Sequence, residues 1–324
     1  MDEYVSIVCH SEIKMKREQP IFNKPLDRRA FFKHGLRLSV VGLAAFMFTR
    51  RDNLKVESVP LSFPNLPTAF NDYRIVQISD LHASFWVGED YLMRVVNQVN
   101  QLEKDLVVVT GDIITGAVND FWKKWLPESS RDYTAMVARV LGHLKAGHKI
   151  AVLGNHDQWD GLETERRLVA ELENVGIQFL RNTSLPLTRA HEAIHIAGID
   201  DVWFSHDLPR ALKQIPQAEF KILLSHSPDI MSDVSKQMRI DLTICGHTHG
   251  GQLAIPYLTH HLMPIDNPAR YMAGLVNEDH GYTYVNRGIG TLVFPFRLGA
   301  PPEITKFRLF TEKNQPRRNG VAET

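Results

Sequence analysis

Short apolar runs alternate with amphipathic segments along residues 74–174 of this 324-residue chain. The apolar runs have the length of strands and predict β-strands at 74–79, 106–110 and 149–153. Apolar positions at helical spacing follow these runs and predict helices at about 90–104, 131–146 and 162–174. Continuous apolar strands that alternate with helices are typical of a parallel sheet covered on both faces. This part of the chain is therefore predicted to be α/β.

The pattern becomes richer in strands toward the C-terminus. Further strands are predicted at 178–180, 193–199, 220–225 and 240–244, with a short helix at 207–214. After Gly250, segments separated by Gly and Pro predict strands at 271–275, 282–286 and 303–310. The hydrophobic pattern by itself therefore predicts an α/β sheet and a β-rich C-terminal part.

The composition limits the partners more than it limits the fold. Lys and Arg together number 37, and so do Asp and Glu, so the formal net charge is zero. This balance gives no electrostatic argument for a nucleic-acid partner. The hydrophobic fraction of 44% is enough for a sizeable core. Cys9 and Cys245 do not make a disulfide framework, and Cys245 is interpreted as a small buried residue.

The first 73 residues are predicted to lie outside the catalytic domain. Residues 1–26 form a polar tail, and residues 27–51 resemble a twin-arginine export signal, with Arg28-Arg29 before a short apolar run. That run is shorter than the roughly 20 residues of a spanning helix. An uncleaved membrane anchor, an exported signal and an amphipathic helix packed on the domain all remain open. Residues 52–73 are predicted to be a linker, 74–310 the catalytic domain and 311–324 a C-terminal tail.

Polar residues that can bind metal ions follow five separate predicted strands. They are Asp80, His82, Asp112, Asn155, His226, His247 and His249. Each alone could be a surface-turn residue, but together they predict one site at the carboxyl edge of the sheet. Oxygen and imidazole ligands without a thiolate suit two borderline cations such as Mn, Fe or Zn, about 3.5–4 Å apart. One carboxylate must then bridge the ions, and Asp112 is the natural candidate.

These residues stand in motifs that resemble a known family. The motifs Asp80-x-His82, Gly111-Asp112, Gly154-Asn155-His156-Asp157, His226 and Gly246-His247-x-His249 resemble the five blocks of the calcineurin-like metallophosphoesterases. The resemblance covers residues 74–310 and implies a four-layer αββα sandwich with metal ligands at strand ends. It also implies two divalent ions, with Mn²⁺ favoured and Fe²⁺ or Zn²⁺ as alternatives. One ion would be bound by Asp80, His82, Asp112 and His249, and the other by Asp112, Asn155, His226 and His247.

Three further residues have predicted roles around the metal ions. The resemblance implies that His156 stabilises the transition state or protonates the leaving oxygen. Asp157 is expected either to orient His156 or to cap a turn. Arg287 is expected either to contact a phosphate or to form a structural salt bridge.

The substrate class is also suggested by resemblance. Gly250-Gly251-Gln252, the segment Tyr284-Val285-Asn286-Arg287-Gly288, and Pro301-Pro302-Glu303 resemble the bacterial YaeI/YkuE subgroup, which includes the LpxG type. This resemblance implies hydrolysis of UDP-2,3-diacylglucosamine to lipid X and UMP, a step of lipid A biosynthesis. The alternatives are a general phosphodiesterase or phosphatase of the cell envelope and a non-catalytic scaffold on the same fold. Gly111-Asp112 is not followed by the residues of a protein phosphatase.

Two aromatic segments bear on a lipid-linked substrate. Residues 121–127 mix aromatic and basic side chains and are expected either to contact a membrane surface or to pack as a cap. Phe85-Trp86-Val87 is expected either to line an acyl slot or to pack in the core. We expect association with the bacterial inner membrane, and export by the twin-arginine route is the alternative. Export conflicts with a UDP-linked substrate, which is cytosolic.

Overall fold

The computed structural model describes residues 53–116, 132–255, 258–292 and 295–314 of the chain. The predicted tail 1–26, the twin-arginine-like segment 27–51, the aromatic segment 121–127 and most of the predicted C-terminal tail lie outside the described residues. Among the described residues, no helix combines the length and the hydropathy needed to cross a membrane.

The described residues form twelve strands and six α-helices. The strands are β1 Lys55–Phe63, β2 Tyr73–Ile78, β3 Leu106–Thr110, β4 His148–Val152, β5 Gln178–Phe179, β6 Thr183–Arg189, β7 Glu192–Gly198, β8 Lys221–Leu224, β9 Leu242–Cys245, β10 Gly274–Glu278, β11 Gly281–Val285 and β12 Glu303–Thr311. The helices are α1 Glu89–Gln101, α2 Thr134–Leu141, α3 Asn155–Trp159, α4 Leu162–Asn174, α5 Leu208–Leu212 and α6 Pro268–Tyr271.

The strands form two six-stranded mixed sheets. The first has the order β1-β12-β2-β3-β4-β5, and its strands β2 to β5 are parallel. The second has the order β10-β11-β9-β8-β7-β6, with β7, β8, β9 and β11 parallel and antiparallel strands at both edges. Because parallel strands end at the same edge of a sheet, each sheet gathers the loops that follow its central strands.

Three buried clusters hold four layers together. Val76, Val107 and Ala151 of the first sheet pack against apolar faces of α1, α2 and α4. The opposite face of that sheet packs on the second sheet through side chains such as Val108 and Ile222. The outer face of the second sheet is covered by a smaller cluster that includes α5. The order is therefore helices, sheet, sheet, helix, which is the predicted four-layer sandwich.

Two sequence predictions are corrected by the fold. The predicted linker 52–73 contains β1, which pairs with β12 along its whole length. Its prolines suggested a linker, but Pro60 is tolerated because β1 is an edge strand. The strand predicted at 271–275 is displaced to Gly274–Glu278, because Pro268 begins a one-turn helix and Gly274, at φ +88°, begins the strand.

The position of β1 in the core gives a stability prediction. Phe63 is 3% exposed, and its ring lies 4.9 Å from that of Phe220, centroid to centroid. Phe63→Ala should therefore lower the free energy of unfolding by about 3–5 kcal/mol, because it leaves a cavity between the sheets. Urea unfolding of the full chain measures this change.

The matched control is Val56→Ala on the same strand, where the side chain is 37% exposed. Its effect should stay within about 1 kcal/mol. Equal, small effects of the two substitutions would contradict the placement of β1 in the folded domain.

Candidate metal centre

The structure brings all seven predicted metal ligands to one place. Asp80 and His82 follow β2, Asp112 follows β3, and Asn155 begins α3 after β4. The second sheet contributes the other three, because His226 follows β8 and His247 and His249 follow β9. The site therefore lies where the carboxyl ends of strands from both sheets meet.

Two groups within this set have the geometry of metal sites. In the first, Asp80, His82 and His249 each offer a ligand atom within 4.8 Å of the others. In the second, the same holds for Asp112, His226 and His247. The amide oxygen of Asn155 extends the second group, since Oδ1 lies 3.1 Å from Nε2 of His226. These groups match the two ligand sets that the resemblance implied.

One carboxylate oxygen joins the two groups. Oδ2 of Asp112 lies 3.4 Å from Nε2 of His82 and 3.2 Å from Nε2 of His226. Its other oxygen, Oδ1, accepts a hydrogen bond from the backbone N–H of His156 at 2.9 Å. This hydrogen bond fixes the carboxylate so that Oδ2 faces both groups, the arrangement required of a bridging ligand.

The ligand atoms that converge around Asp112 have the chemistry expected around a cation. Nδ1 of His226 lies 2.8 Å from the carbonyl of Thr110, so Nδ1 carries the proton and donates it. In a neutral His226, Nε2 is then a bare lone pair facing Oδ1 of Asn155 and Oδ2 of Asp112. Three acceptors at these distances repel one another unless a positive charge lies among them. The atoms that converge here have the chemistry of a metal ligand set.

Two of the imidazoles are neutral without an ion, and His226 differs from them. Burial lowers the pKa of His82 and of His247 to about 3, so both imidazoles are neutral at neutral pH and keep a lone pair for a ligand. For Asp112, burial acts to raise the pKa, but the imidazoles of His226 and His156 hold it well below its ordinary value. For His226, burial opposes protonation, but Asp112 and Asp80 raise its pKa well above 6.5. A proton on Nε2 therefore supplies the positive charge among these acceptors until a cation displaces it.

The backbone is strained at the ligand positions. Asp80, His82, Asp112, His247 and His249 all have positive φ, between 46° and 73°. Such angles are uncommon outside glycine and cost on the order of 1–3 kcal/mol each. Gly246 allows this crowding, because a Cβ there would lie 2.3 Å from Oδ2 of Asp80. Backbone strain concentrated at these positions is typical of a functional site.

His156 lies beside the ligands, as expected, and of the two roles left open for Asp157 the structure shows the capping one. Its Nδ1 lies 2.6 Å from the carbonyl of Thr115, and its ring meets that of His82 edge-on at 4.9 Å. The carboxylate of Asp157 accepts instead from the backbone N–H groups of Gly154, Ile113 and Ile114. Asp157 therefore caps the loops after β3 and β4, and the Thr115 carbonyl orients His156.

The other predicted substrate contacts also have different surroundings. The guanidinium of Arg287 lies 2.6 Å from a carboxylate oxygen of Glu57 and 2.9 Å from one of Glu303. This is the structural salt bridge that the sequence left as the alternative to a phosphate contact. Trp86 and Val87 pack with the helix-side core, and Phe85 lines a separate cavity with Tyr133. Core packing is the outcome for Trp86 and Val87, whereas Phe85 is 56% exposed and does not line the cavity at the metal centre.

Arg297 is an important residue that the sequence analysis missed. It is 1% exposed, and its guanidinium donates to the carbonyls of Gly288, Gly290 and Ala300. Nη2 also lies 3.3 Å from Nδ1 of His249, which fixes the orientation of that ring. Burial lowers the pKa of Arg297 to about 10, so it is still charged at neutral pH. No motif marked this arginine, because its partners are backbone atoms of a folded loop.

A cavity of about 400 Å³ opens onto the metal groups. Asp112, Asn155, His156, His247 and His249 form its polar side. The other walls are largely apolar and include Trp159, Trp203, Ile255, Leu258, Leu262 and Met263. Its volume is within the range of about 300–1,000 Å³ that is typical of small-molecule sites.

A helix-flanked double sheet with two carboxylate–histidine groups at its strand ends defines a metallophosphoesterase, a hydrolase that acts on phosphoric ester bonds. The chain belongs to the calcineurin-like phosphoesterase family, whose model matches residues 73–251. The family typically binds two divalent metal ions, in agreement with the two groups described above.

Curated relatives agree with this assignment. The chain is 32% identical over 251 residues to YkuE, an uncharacterized metallophosphoesterase of Bacillus subtilis, covering 75% of this chain and 81% of YkuE. It is 27% identical over 237 residues to the phosphodiesterase YaeI of Escherichia coli, covering 73% and 82% of the two chains. Among solved structures, phosphopantetheinyl hydrolase of Mycobacterium tuberculosis matches with a TM-score of 0.41 and 12% identity, over 68% of this chain and 91% of that one.

The contacts of Arg297 lead to a second stability prediction. Arg297→Ala should lower the free energy of unfolding by about 3 kcal/mol or more, because several buried carbonyls lose their donor. Arg297→Lys should recover part of this loss, since an ammonium reaches fewer of the carbonyls. Urea unfolding of metal-free protein measures both variants.

Arg308→Ala is the control. Its side chain is 40% exposed and forms a surface ion pair with Asp72, 2.7 Å away. Its removal should change stability by about 1 kcal/mol or less. If Arg297→Ala were as mild as Arg308→Ala, the loop carbonyls would not depend on the buried guanidinium.

Proposed function

We propose that this protein is a dinuclear-metal phosphohydrolase that cleaves a phosphodiester or pyrophosphate bond in the bacterial cell envelope. One observation carries the proposal: Oδ2 of Asp112 lies within 3.4 Å of a histidine from each of the two ligand groups. A shared carboxylate is what a pair of ions about 3.5–4 Å apart requires. Asp80, His82 and His249 would bind one ion, and Asn155, His226 and His247 the other, with Asp112 common to both.

The two ions and the residues around them would have different chemical roles. When bound, two divalent ions supply a hydroxide near neutral pH and offset negative charge on phosphoryl oxygens. The imidazoles and carboxylates of the chain would hold these ions in position. Mn²⁺ is the favoured ion, with Fe²⁺ or Zn²⁺ as alternatives, because the ligands are oxygen and imidazole.

His156 is proposed as the group that handles the proton of the leaving oxygen. Its Nδ1–H donates to the carbonyl of Thr115 at 2.6 Å, so the proton given to the leaving oxygen is the one that Nε2 carries when the ring is protonated. His156 lines the cavity beside the metal groups, so Nε2 can reach a phosphoryl or leaving oxygen. Asp157 supports this role indirectly, by accepting from the backbone N–H of Ile113, next to Asp112, and from that of Gly154, next to Asn155.

The favoured substrate is UDP-2,3-diacylglucosamine, cleaved to lipid X and UMP. A cavity with ligand groups on one side and apolar walls elsewhere supports a phosphate compound with a large apolar part. The alternative is a more general envelope phosphodiesterase, and the similarity to the Escherichia coli phosphodiesterase YaeI supports it. Attachment to the inner membrane through residues 27–51 is proposed, with twin-arginine export as the alternative.

The metal content of variants separates the enzyme from a non-catalytic scaffold. Purified protein loaded with Mn²⁺ should hold about two ions per chain, and Asp112→Ala should lose most of both, because it removes the shared ligand. Elemental analysis after gel filtration measures the ratio. Asp233→Ala, at a half-exposed aspartate, should retain the wild-type content. A chain that binds less than one ion in every preparation would contradict the dinuclear proposal.

Hydrolysis assays test the substrate and the role of His156. With Mn²⁺, wild-type protein should release UMP from UDP-2,3-diacylglucosamine and p-nitrophenol from bis-p-nitrophenyl phosphate. His156→Ala should lower kcat by about 10²–10⁴-fold on both compounds, because the contact of Nε2 with the phosphoryl or leaving oxygen is lost. His143→Ala, at an exposed histidine on the helix side of the first sheet, should match wild type. Activity on the diester alone would exclude the lipid A substrate and favour the general phosphodiesterase.

A further inference from the structure

An exposed apolar surface continues directly from the metal groups into solvent. Trp159, Trp203, Leu258 and Leu262 line the cavity, and their exposed fractions are 45%, 44%, 49% and 72%. Large apolar side chains with this exposure are unusual as a contiguous set on a folded protein and mark sites of interaction. We name these four residues the apolar groove.

The two tryptophans of the apolar groove contact histidines of the metal centre. The ring of Trp159 lies 4.4 Å from that of His156, and the ring of Trp203 lies 5.2 Å from that of His247, centroid to centroid. The two indoles are themselves 5.8 Å apart and tilted by 31°. They therefore form one continuous surface, and a group attached to a phosphate at the ligand groups can lie along it.

Both tryptophans are held in place by the backbone. Trp159 is the last residue of α3, the five-residue helix that begins with Asn155. Trp203 lies in a tight turn, where its backbone N–H donates to Oδ1 of the buried Asp201 at 2.9 Å. The groove is thus formed before any substrate enters, which reduces the entropic cost of binding.

The chemistry of the groove favours a hydrocarbon chain over a polar group. The polar side chains beside the groove already have hydrogen-bond partners within the protein. Thr248 donates to the carbonyl of Met272, and Thr259 donates to the carbonyl of Leu253. The side-chain amide of Gln252 forms hydrogen bonds with the backbone of Leu292. A nucleobase or sugar placed there would lose hydrogen bonds to water without gaining equivalent partners. A hydrocarbon chain needs no such partners and gains from burial.

We infer that Trp159, Trp203, Leu258 and Leu262 form the binding subsite for the hydrocarbon chain of a lipid phosphoester, whose phosphate lies at the two ligand groups. The inference rests on the proposed function and deepens it, because it assigns the apolar half of the substrate to named residues. In UDP-2,3-diacylglucosamine, the acylated glucosamine half enters the groove and the uridine half faces the open side.

A homologous series of esters tests the subsite. The substrates are p-nitrophenyl alkyl phosphates with methyl, butyl and octyl chains, used below their micellar concentrations with the Mn²⁺-loaded full chain. For wild type, kcat/KM should rise with each methylene, by at most about fourfold where burial is complete. In Leu262→Ser and Trp203→Ala, the octyl-to-methyl ratio of kcat/KM should fall by about fivefold or more.

The matched control is Leu275→Ser. Leu275 is 44% exposed on β10 and is not among the residues that line the cavity. Its octyl-to-methyl ratio should equal that of wild type. A ratio that falls equally in Leu275→Ser, or that Leu262→Ser leaves unchanged, overturns the assignment of the groove.

Failure of the inference and failure of the proposed function are distinguishable in the same experiment. Hydrolysis of the methyl ester without preference for longer chains overturns the subsite and leaves the phosphohydrolase standing. Absence of hydrolysis for every ester, together with absence of bound metal, overturns both. Binding of octylphosphonate against methylphosphonate, followed by tryptophan fluorescence, gives a readout without turnover and should show the same loss of preference in Leu262→Ser.

Discussion

The buried carboxylate of Asp112 is the constraint on which the rest of the site depends. Taking a carboxylate out of water is costly unless positive charge and hydrogen bonds surround it. The protein meets this need with the backbone N–H of His156 on one oxygen and imidazoles from both sheets around the other. Because these partners come from strands of both sheets, the carboxylate is surrounded only when the two sheets pack as they do here.

The backbone is also strained at the ligand positions, where the strands end. Five candidate ligands have left-handed backbone angles, and the glycines beside them leave no room for a Cβ. Such a set persists only where the surrounding structure fixes it. The three buried clusters supply that support, and Arg297 ties the loop of Gly288 and Gly290 to His249. Stability built into the layers therefore offsets strain at the strand ends.

The short helix α3 links chemistry with recognition. Asn155 and His156 face the ligand groups, while Trp159 at the other end belongs to the apolar wall. From the sequence, substrate contact was one of two alternatives for Phe85 and for Arg287. Phe85 lines another cavity, and Arg287 is neutralised by two glutamates, one of them Glu57, 230 positions away along the chain. No local sequence pattern predicts either outcome, because both depend on which elements lie next to each other in the fold.

The sequence by itself determined β2 to β5 and β12 of the first sheet, the helices α1, α2 and α4, the seven residues that converge, and the family. These features depend on local periodicity and short motifs, which a single chain carries in full. Only the tertiary structure decided that β1 pairs with β12, that Oδ2 of Asp112 is shared, and that Thr115 rather than Asp157 orients His156. It also decided that Trp159 and Trp203 touch. The physical reason is that each of these contacts joins residues that are distant in sequence or depends on side-chain direction, and burial against other layers fixes both.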